Sequence, residues 1–434
     1  MGLMQKMDVL KKADLTACTG IVTRVVGLAV ESLGPPVRIG EVCDIYPSAS
    51  REPVRAEVVG FRDRSMLLMP YGNLEGIAPG SRVVSTGLPF TIPVGMGLRG
   101  RILDGLGVPI DGGGPVEAET YYRIDGAPPN PLGRPRITEP ILLGVKAIDG
   151  LLTCGRGQRV GIFAGSGVGK STLLGMIARN ADADVNVIGL VGERGREVRD
   201  FIERDLGEDG MKKSVLVTAT SDRPAMARLK CAMVASTIAE YFRDKGLSVM
   251  LMMDSLTRFA MAQREVGLAA GEAPVSRGYT PSIFAVLPQL LERSGNFEKG
   301  SITGIYTVLV EGDDMNEPIA DTVRGILDGH FVLTRALAMQ NHYPALDVLR
   351  SISRLMPEVA SPEHQELAGK MRSLMATYEN FADLIAIGAY KEGSNAAVDT
   401  AIRYHDRIDA FLMQKTDEFI NSGQTIEQMK QALA

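Results

Sequence analysis

Tryptophan is absent from the 434-residue sequence, and Phe, Tyr and Trp together reach only 5%. An extended base-stacking surface is therefore excluded. Net charge is −5, so the positive footprint of a dedicated nucleic-acid binder is missing as well. The four cysteines (Cys18, Cys43, Cys154, Cys231) form no C-x-x-C pair, and the four histidines make no H-E-x-x-H spacing. These absences leave a structural zinc site without support from spacing, and the cysteines read as reduced thiols in a cytosolic protein. No apolar run approaches the roughly 20 residues of a membrane span, and no signal-peptide pattern opens the chain. Met1-Gly2 invites myristoylation, but Lys6 stands where Ser or Thr is needed. What remains, 45% hydrophobic and 23% charged residues, is a soluble globular protein long enough for two or three domains.

Residues 1–17 place Leu3, Met4, Met7, Leu10 and Ala13 at helical spacing, which predicts a short amphipathic helix. It is either a docking element or an ordinary packed helix. From residue 18 to 92, short β-rich runs (Gly20–Val26, Val37–Tyr46, Val54–Phe61, Ser65–Leu68, Arg82–Ser85) alternate with Gly, Pro and Asp. Strands so short and close predict a small barrel. Residues 93–150 are rich in Gly and Pro and read as a turn-filled connector wrapped on a neighbouring domain. Beyond it, strands are predicted at Arg159–Ala164, Val185–Val191, Ser214–Thr218, Ser248–Asp254 and Ser301–Leu309. Runs such as Val249–Met253 are apolar throughout, as in parallel strands covered on both faces. After about residue 360 only helical patterns occur (Glu363–Ile387, Asn395–Ser422, Thr425–Ala434). The fold class is thus α/β: a parallel-sheet core, preceded by a small β-barrel and followed by a helical C-terminal domain.

The strand ending at Ala164 runs into Gly165-Ser166-Gly167-Val168-Gly169-Lys170-Ser171 and then a helical stretch from Thr172. That context is what a phosphate-binding loop requires. Its glycines let backbone N–H groups converge on phosphates at the positive end of a helix. Lys170 would reach the β- and γ-phosphates and the Ser171 hydroxyl would bind Mg²⁺. The strict pattern has Gly where Ala164 stands. Asp254, at the carboxyl end of an apolar strand predicted to neighbour the loop strand, can orient Mg²⁺ and its waters. Glu193, ending the strand Val185–Val191, could polarise water for attack on the γ-phosphate. A Glu193–Arg194 surface pair accounts for the same residues equally well.

The motifs Ala164–Ser171, Val191–Arg194, Leu251–Arg258 and Pro344–Ser353 together resemble the α/β-type rotary ATPase superfamily. Arg277–Pro281, Leu287–Gly295 and Asp321–His330 most resemble its type III secretion ATPases, the flagellar export branch more than the virulence injectisome. The resemblance runs from about residue 18 to the end. It implies an N-terminal barrel (18–92), a RecA-like core (93–345) and a helical domain (346–434), after the helical segment 1–17. It implies ATP and Mg²⁺ as cofactors, Lys170 and Ser171 as phosphate and metal ligands, Glu193 as catalytic carboxylate and Asp254 on the metal side. It further implies Arg258 near the phosphates, Arg194 as a brace, Tyr343 against the adenine, and Arg354 as an arginine finger. The nucleotide-binding set is then 165–172 (Gly165, Ser166, Gly167, Val168, Gly169, Lys170, Ser171, Thr172) with Tyr343.

In the rotary ATP synthase the glutamate and the finger lie on different subunits. Here Glu193 and Arg354 stand in one chain, which implies a homohexamer whose sites are completed at interfaces. The acidic loop of synthase catalytic subunits is replaced by Ala389–Asn395, which carries little acidic charge; this favours an export motor over a synthase subunit. The resemblance implies a location on the cytoplasmic face of the cell membrane. The implied partners are export-apparatus membrane proteins, a stator-like regulator at the N-terminus, a central stalk protein and chaperone–substrate complexes, with no nucleic acid. A synthase catalytic subunit, an injectisome ATPase, a transcription-termination helicase and a non-catalytic ring subunit are the competing readings.

Overall fold

In the computed structural model, residues 18–47, 52–310, 312 and 314–434 are described. The helix expected over 1–17, and the regulator contact assigned to it, lie outside them.

Six strands close into a barrel in the order Thr19–Val26, Ala29–Leu33, Ser65–Pro70, Val54–Arg62, Glu41–Tyr46 and Arg82–Pro89. Alternate side chains (Val22, Val30, Ile45, Val58, Leu68, Val83) fill its interior, and closure leaves no unpaired edge. The sequence reading missed the strand Ala29–Leu33. Gly27, at φ +58°, turns the chain so tightly that Val26 pairs with Ala29. The strand expected from Val37 starts only at Glu41, after Gly40 at φ +84°. The barrel is tied to the core by a buried cluster. Lys230, on the helix Ala225–Asp244, lies 2.6 Å from Glu57, which also accepts a 2.6 Å hydrogen bond from Tyr71.

The core sheet runs Leu346–Ser353, Gly329–Leu333, Arg159–Ala164, Ser301–Leu309, Ser248–Asp254, Val185–Val191, Ser214–Ala219, Ile102–Asp104, with Gly295–Asn296 pairing off this path. All neighbours on the main path are parallel except the first pair. Alternation explains the apolar runs. Val249, Leu251 and Met253 enter one hydrophobic core with the helices Ala225–Asp244 and Leu256–Ala270. Met250 and Met252 enter the other, with the helix Lys170–Asn180 and the C-terminal helices. Both faces are buried, so period-2 patterning disappears.

Three features differ from expectation. Ile102–Asp104, inside the expected connector, adds a strand to the sheet. The segment expected to open the helical domain at 346 begins with Leu346–Ser353, the antiparallel edge of the core sheet. The helix expected over Asn395–Ser422 spans Ala396–Leu412. Just beyond it, the Gln414 side chain accepts from Lys146 N and donates to Gly144 O. The C-terminal helices Pro362–Ala386, Ala396–Leu412 and Ser422–Ala432 dock around the buried helix Lys146–Leu151, where His364 Nε2 meets Gly150 O at 2.7 Å.

Candidate active site

The loop between Ala164 and Lys170 follows from its glycines. Gly167 and Gly169 sit at φ +80° and +89°, a region L side chains rarely enter. Gly169 directly precedes the helix Lys170–Asn180, so the free N–H groups of its first turn face the loop. Val168 is buried as an anchor, while Ser166, Gly167 and Ser171 are exposed on the open side. Ala164 ends the strand, paired with Leu309 and Leu333 and buried. Its methyl group is core packing rather than loop, which explains why a small residue other than Gly serves there. Thr172 directs its hydroxyl to Asp205.

Lys170 Nζ lies 2.5 Å from Asp254 Oδ1 and 3.8 Å from Glu193 Oε1. Burial opposes its charge, but the two carboxylates outweigh it and hold the ammonium above its ordinary range. Glu193 shares that lysine at longer range. Burial first, and then the charge of Asp254, push its carboxyl up to about 7, against the pull of Lys170 and Arg258. Its Oε1 is buried without a hydrogen-bond partner. A desolvated carboxylate poised near neutrality is suited to accept a proton from water.

Asp254 was expected on the strand beside the loop strand. Instead Ser301–Leu309 intervenes, and it supplies a residue the sequence reading missed. The buried Thr307 donates from Oγ1 to Asp254 Oδ1 at 2.7 Å and orients that carboxylate. Ser301, Thr303 and Tyr306 carry hydroxyls on the same strand, so nothing in the sequence marked Thr307 as the one that meets Asp254.

Gly192 (φ +71°) lets the stem of Arg258 close over the strand end, since a Cβ there would meet Arg258 Cβ at 3.0 Å. Arg258 Nε is buried without a hydrogen-bond partner, so the guanidinium adds positive charge beside Glu193. Arg194 does not brace the site: its side chain is 77% exposed and pairs with Glu197 at 3.6 Å. The carboxylate of Glu193 turns inward while Arg194, one residue on, turns to solvent. Tyr343 lies over the end of the loop, its ring 3.6 Å from where a Gly169 Cβ would stand. Its carbonyl accepts from Gln414 N at 2.9 Å, so this aromatic is held between core and C-terminal domain.

Arg354 is the residue the fold does not bring in. It is exposed and follows Ser353, which pairs with Gly329 at the end of the sheet where the parallel strands begin. The loop lies at the other end, where they finish.

Among the described residues, no three His, Cys, Asp or Glu side chains could hold a metal by themselves. One oriented carboxylate (Asp254) and one helix-terminal hydroxyl (Ser171) remain. That hard, sparse oxygen set fits Mg²⁺ shared with phosphate oxygens and water.

Comparison with known proteins matches all three parts of the fold. Family models match residues 22–87 (ATP synthase alpha/beta family, beta-barrel domain), 144–353 (its nucleotide-binding domain) and 360–431 (T3SS EscN ATPase C-terminal domain). The chain is 56% identical to the flagellum-specific ATP synthase of Bacillus subtilis, covering 95% of this chain and 94% of that one. It is 52% identical to the type 3 secretion system ATPase of Xanthomonas euvesicatoria, covering 94% and 92%. The assembled ATPase EscN of enteropathogenic E. coli superposes with a TM-score of 0.91 at 47% identity, over 96% of this chain and 100% of that one. A second structure of that ATPase, in complex with its central stalk EscO, gives 0.89.

Proposed function

The chain belongs to the type III secretion ATPases of the ATP synthase alpha/beta family, and from that premise we propose that it works as a homohexamer with each active site shared between two subunits. It hydrolyses ATP to power protein export through a type III apparatus. In our reading that apparatus is the flagellar one, supported by the 56% identity to a flagellum-specific relative. The C-terminal domain, matched by an export-ATPase model rather than a synthase one, favours export over synthesis. A relative solved with its central stalk supports a stalk partner here. Export-apparatus proteins and chaperone–substrate complexes are the further partners of that reading, at the inner face of the cell membrane. Among the described residues no helix is long and apolar enough to cross a membrane.

One subunit contributes the loop 165–171, with Lys170 on the β- and γ-phosphates. Tyr343 packs on the adenine. Mg²⁺, held at Ser171 and on the Asp254 side, would offset the charge of the phosphates. When the phosphates draw Lys170 toward them, Glu193 loses its nearest cation and becomes a stronger base toward the attacking water. Arg258 steadies the negative charge around Glu193. The neighbouring subunit contributes Arg354 to the γ-phosphate in the transition state, a role worth about 10³–10⁵ in rate.

The observation that carries this reading is the split within one chain. Glu193 and Asp254 both lie within 3.8 Å of Lys170 Nζ, while Arg354 lies at the opposite end of the same sheet. Mixing Glu193→Gln with Arg354→Ala subunits tests it. Activity recovered from two inactive parents is the expected result; a mixture as inactive as both would refute the sharing.

A further inference from the structure

A fully buried glutamine, Gln158, sits directly before the loop strand and is not needed by any step above. Its amide is engaged on both ends. Oε1 accepts from Gly155 N at 2.8 Å, and Nε2 donates to Asp328 O and to Ser353 Oγ, each at 3.1 Å. These contacts converge on the base of Arg354. The same Asp328 carbonyl accepts from Arg354 N at 3.0 Å, and Ser353 is the residue immediately before it. Ser353 Oγ is fixed in turn by donating to Thr153 O at 2.8 Å.

The next residue strengthens the same anchor. Arg159 donates from Nε and Nη2 to the two Asp328 carboxylate oxygens at 3.1 and 3.2 Å, and from its backbone N to Oδ2 at 3.2 Å. The Asp328 backbone N returns a bond to Arg159 O at 2.9 Å. The start of the strand Arg159–Ala164 is thus locked to Asp328, and Asp328 is locked to Arg354.

We propose that Gln158 is a positioning residue for Arg354, and that the strand Arg159–Ala164 links each subunit's phosphate loop to the finger it offers its neighbour. The proposal rests on the shared-site reading of Arg354. Gly165 lies seven positions after Gln158, a rigid span of about 23 Å at about 3.3 Å per residue. The strand is hydrogen-bonded on both sides, to Ser301–Leu309 and Gly329–Leu333, so a shift at the loop is carried to the finger's base rather than absorbed in between. A bound nucleotide in one subunit then changes catalysis in the next through this strand.

A buried amide that rivets three backbone segments could serve stability alone, and the test separates the two roles. Gln158→Met keeps the shape and removes the amide. Misplacing a catalytic group by about 1 Å costs on the order of 10² in rate, so kcat should fall by about that much with KM for ATP little changed. Adding Glu193→Gln subunits, inactive themselves but with an intact finger, should raise the activity per Gln158→Met subunit. A Gln158→Met subunit impaired in its own loop or fold gains nothing from that neighbour. Ser353→Ala, a smaller change in the same cluster, is run in parallel and decides the matter if Gln158→Met does not fold. Wild-type kcat in the folded variants overturns the proposal. The mixture of Arg354→Ala with Glu193→Gln is the control. If it recovers activity and the Gln158 or Ser353 mixtures do not, positioning is refuted and sharing stands. If the control itself fails, the shared-site reading falls and this inference with it.

Discussion

Replacing Glu193, the proposed general base, should make the protein more stable above neutral pH while destroying its activity. Burial and the neighbouring Asp254 carboxylate push Glu193 from an ordinary 4.5 up to about 7. That difference means the site disfavours the charged carboxylate by on the order of 3 kcal/mol. The sign follows from proton counting. Between pH 4.5 and 7 the folded protein keeps a proton on Glu193 that the unfolded chain has released. Wild-type stability therefore falls as pH rises through that window and stays reduced above it. Gln carries no charge, so Glu193→Gln escapes the loss. The variant should match wild type near pH 4.5 and exceed it by up to on the order of 3 kcal/mol above pH 7. For a core of this size each kcal/mol moves Tm by about 2–4 °C, so thermal melts at pH 8.5 should differ by several degrees. At pH 5 the gap should nearly close. ATP turnover should fall by about 10²–10⁴, the usual contribution of a general base. A variant that melts at or below wild type at pH 8.5, or by the same margin at both pH values, refutes the account of Glu193.

The same carboxyl should set the acid limb of kcat/KM, with its midpoint near pH 7 because the free enzyme's base titrates at about 7; a limb near pH 4.5 would mean that Glu193 is not the base. Tyr343→Ala should raise KM for ATP by about tenfold, roughly the 1.5 kcal/mol upper range of an aromatic stacking pair, while Tyr343→Phe stays near wild type. Steady-state kinetics of the two variants check this, and equal loss in both would remove the packing role. Lys230→Met strands the Glu57 carboxylate under the barrel and should cost about 3 kcal/mol, as when one partner of a buried pair is removed. The urea midpoint should fall, and adding Glu57→Gln should restore most of it. No recovery in the double variant would show that the barrel is not held through this pair.

How much of this was legible beforehand depended on how local each feature is. The strand Arg159–Ala164 and the loop after it are a contiguous pattern, with Gly where φ must be positive, and the bounds agree with the structure. The strand Ser248–Asp254 was equally plain, because burial on both faces leaves the unbroken apolar run Val249–Met253. Val185–Val191 and Ser301–Leu309 have the expected bounds although Asn186, Thr303 and Thr307 interrupt them. Glu193 was ambiguous from its own residues. A carboxylate next to an arginine looks the same whether it turns inward or outward, and only the fold points Glu193 at Lys170 and Arg194 at solvent.

What stayed hidden was the lateral order of strands and everything that depends on it. Nothing in Ser301–Leu309 says that it inserts between the strands bearing the loop and Asp254, so Thr307 could not be matched to its carboxylate. Nor does Leu346–Ser353, which lies past the last predicted strand, announce that it returns antiparallel to the sheet edge. That return decides the position of Arg354. A parallel strand would have ended beside the phosphate loop, where a finger could serve its own subunit. The antiparallel one ends where the loop strand begins, against Asp328 and Gln158. On the shared-site proposal, the reversal of one edge strand is therefore what keeps Arg354 away from Lys170 and Glu193 of its own chain, so that only a neighbouring subunit's Arg354 could complete the site.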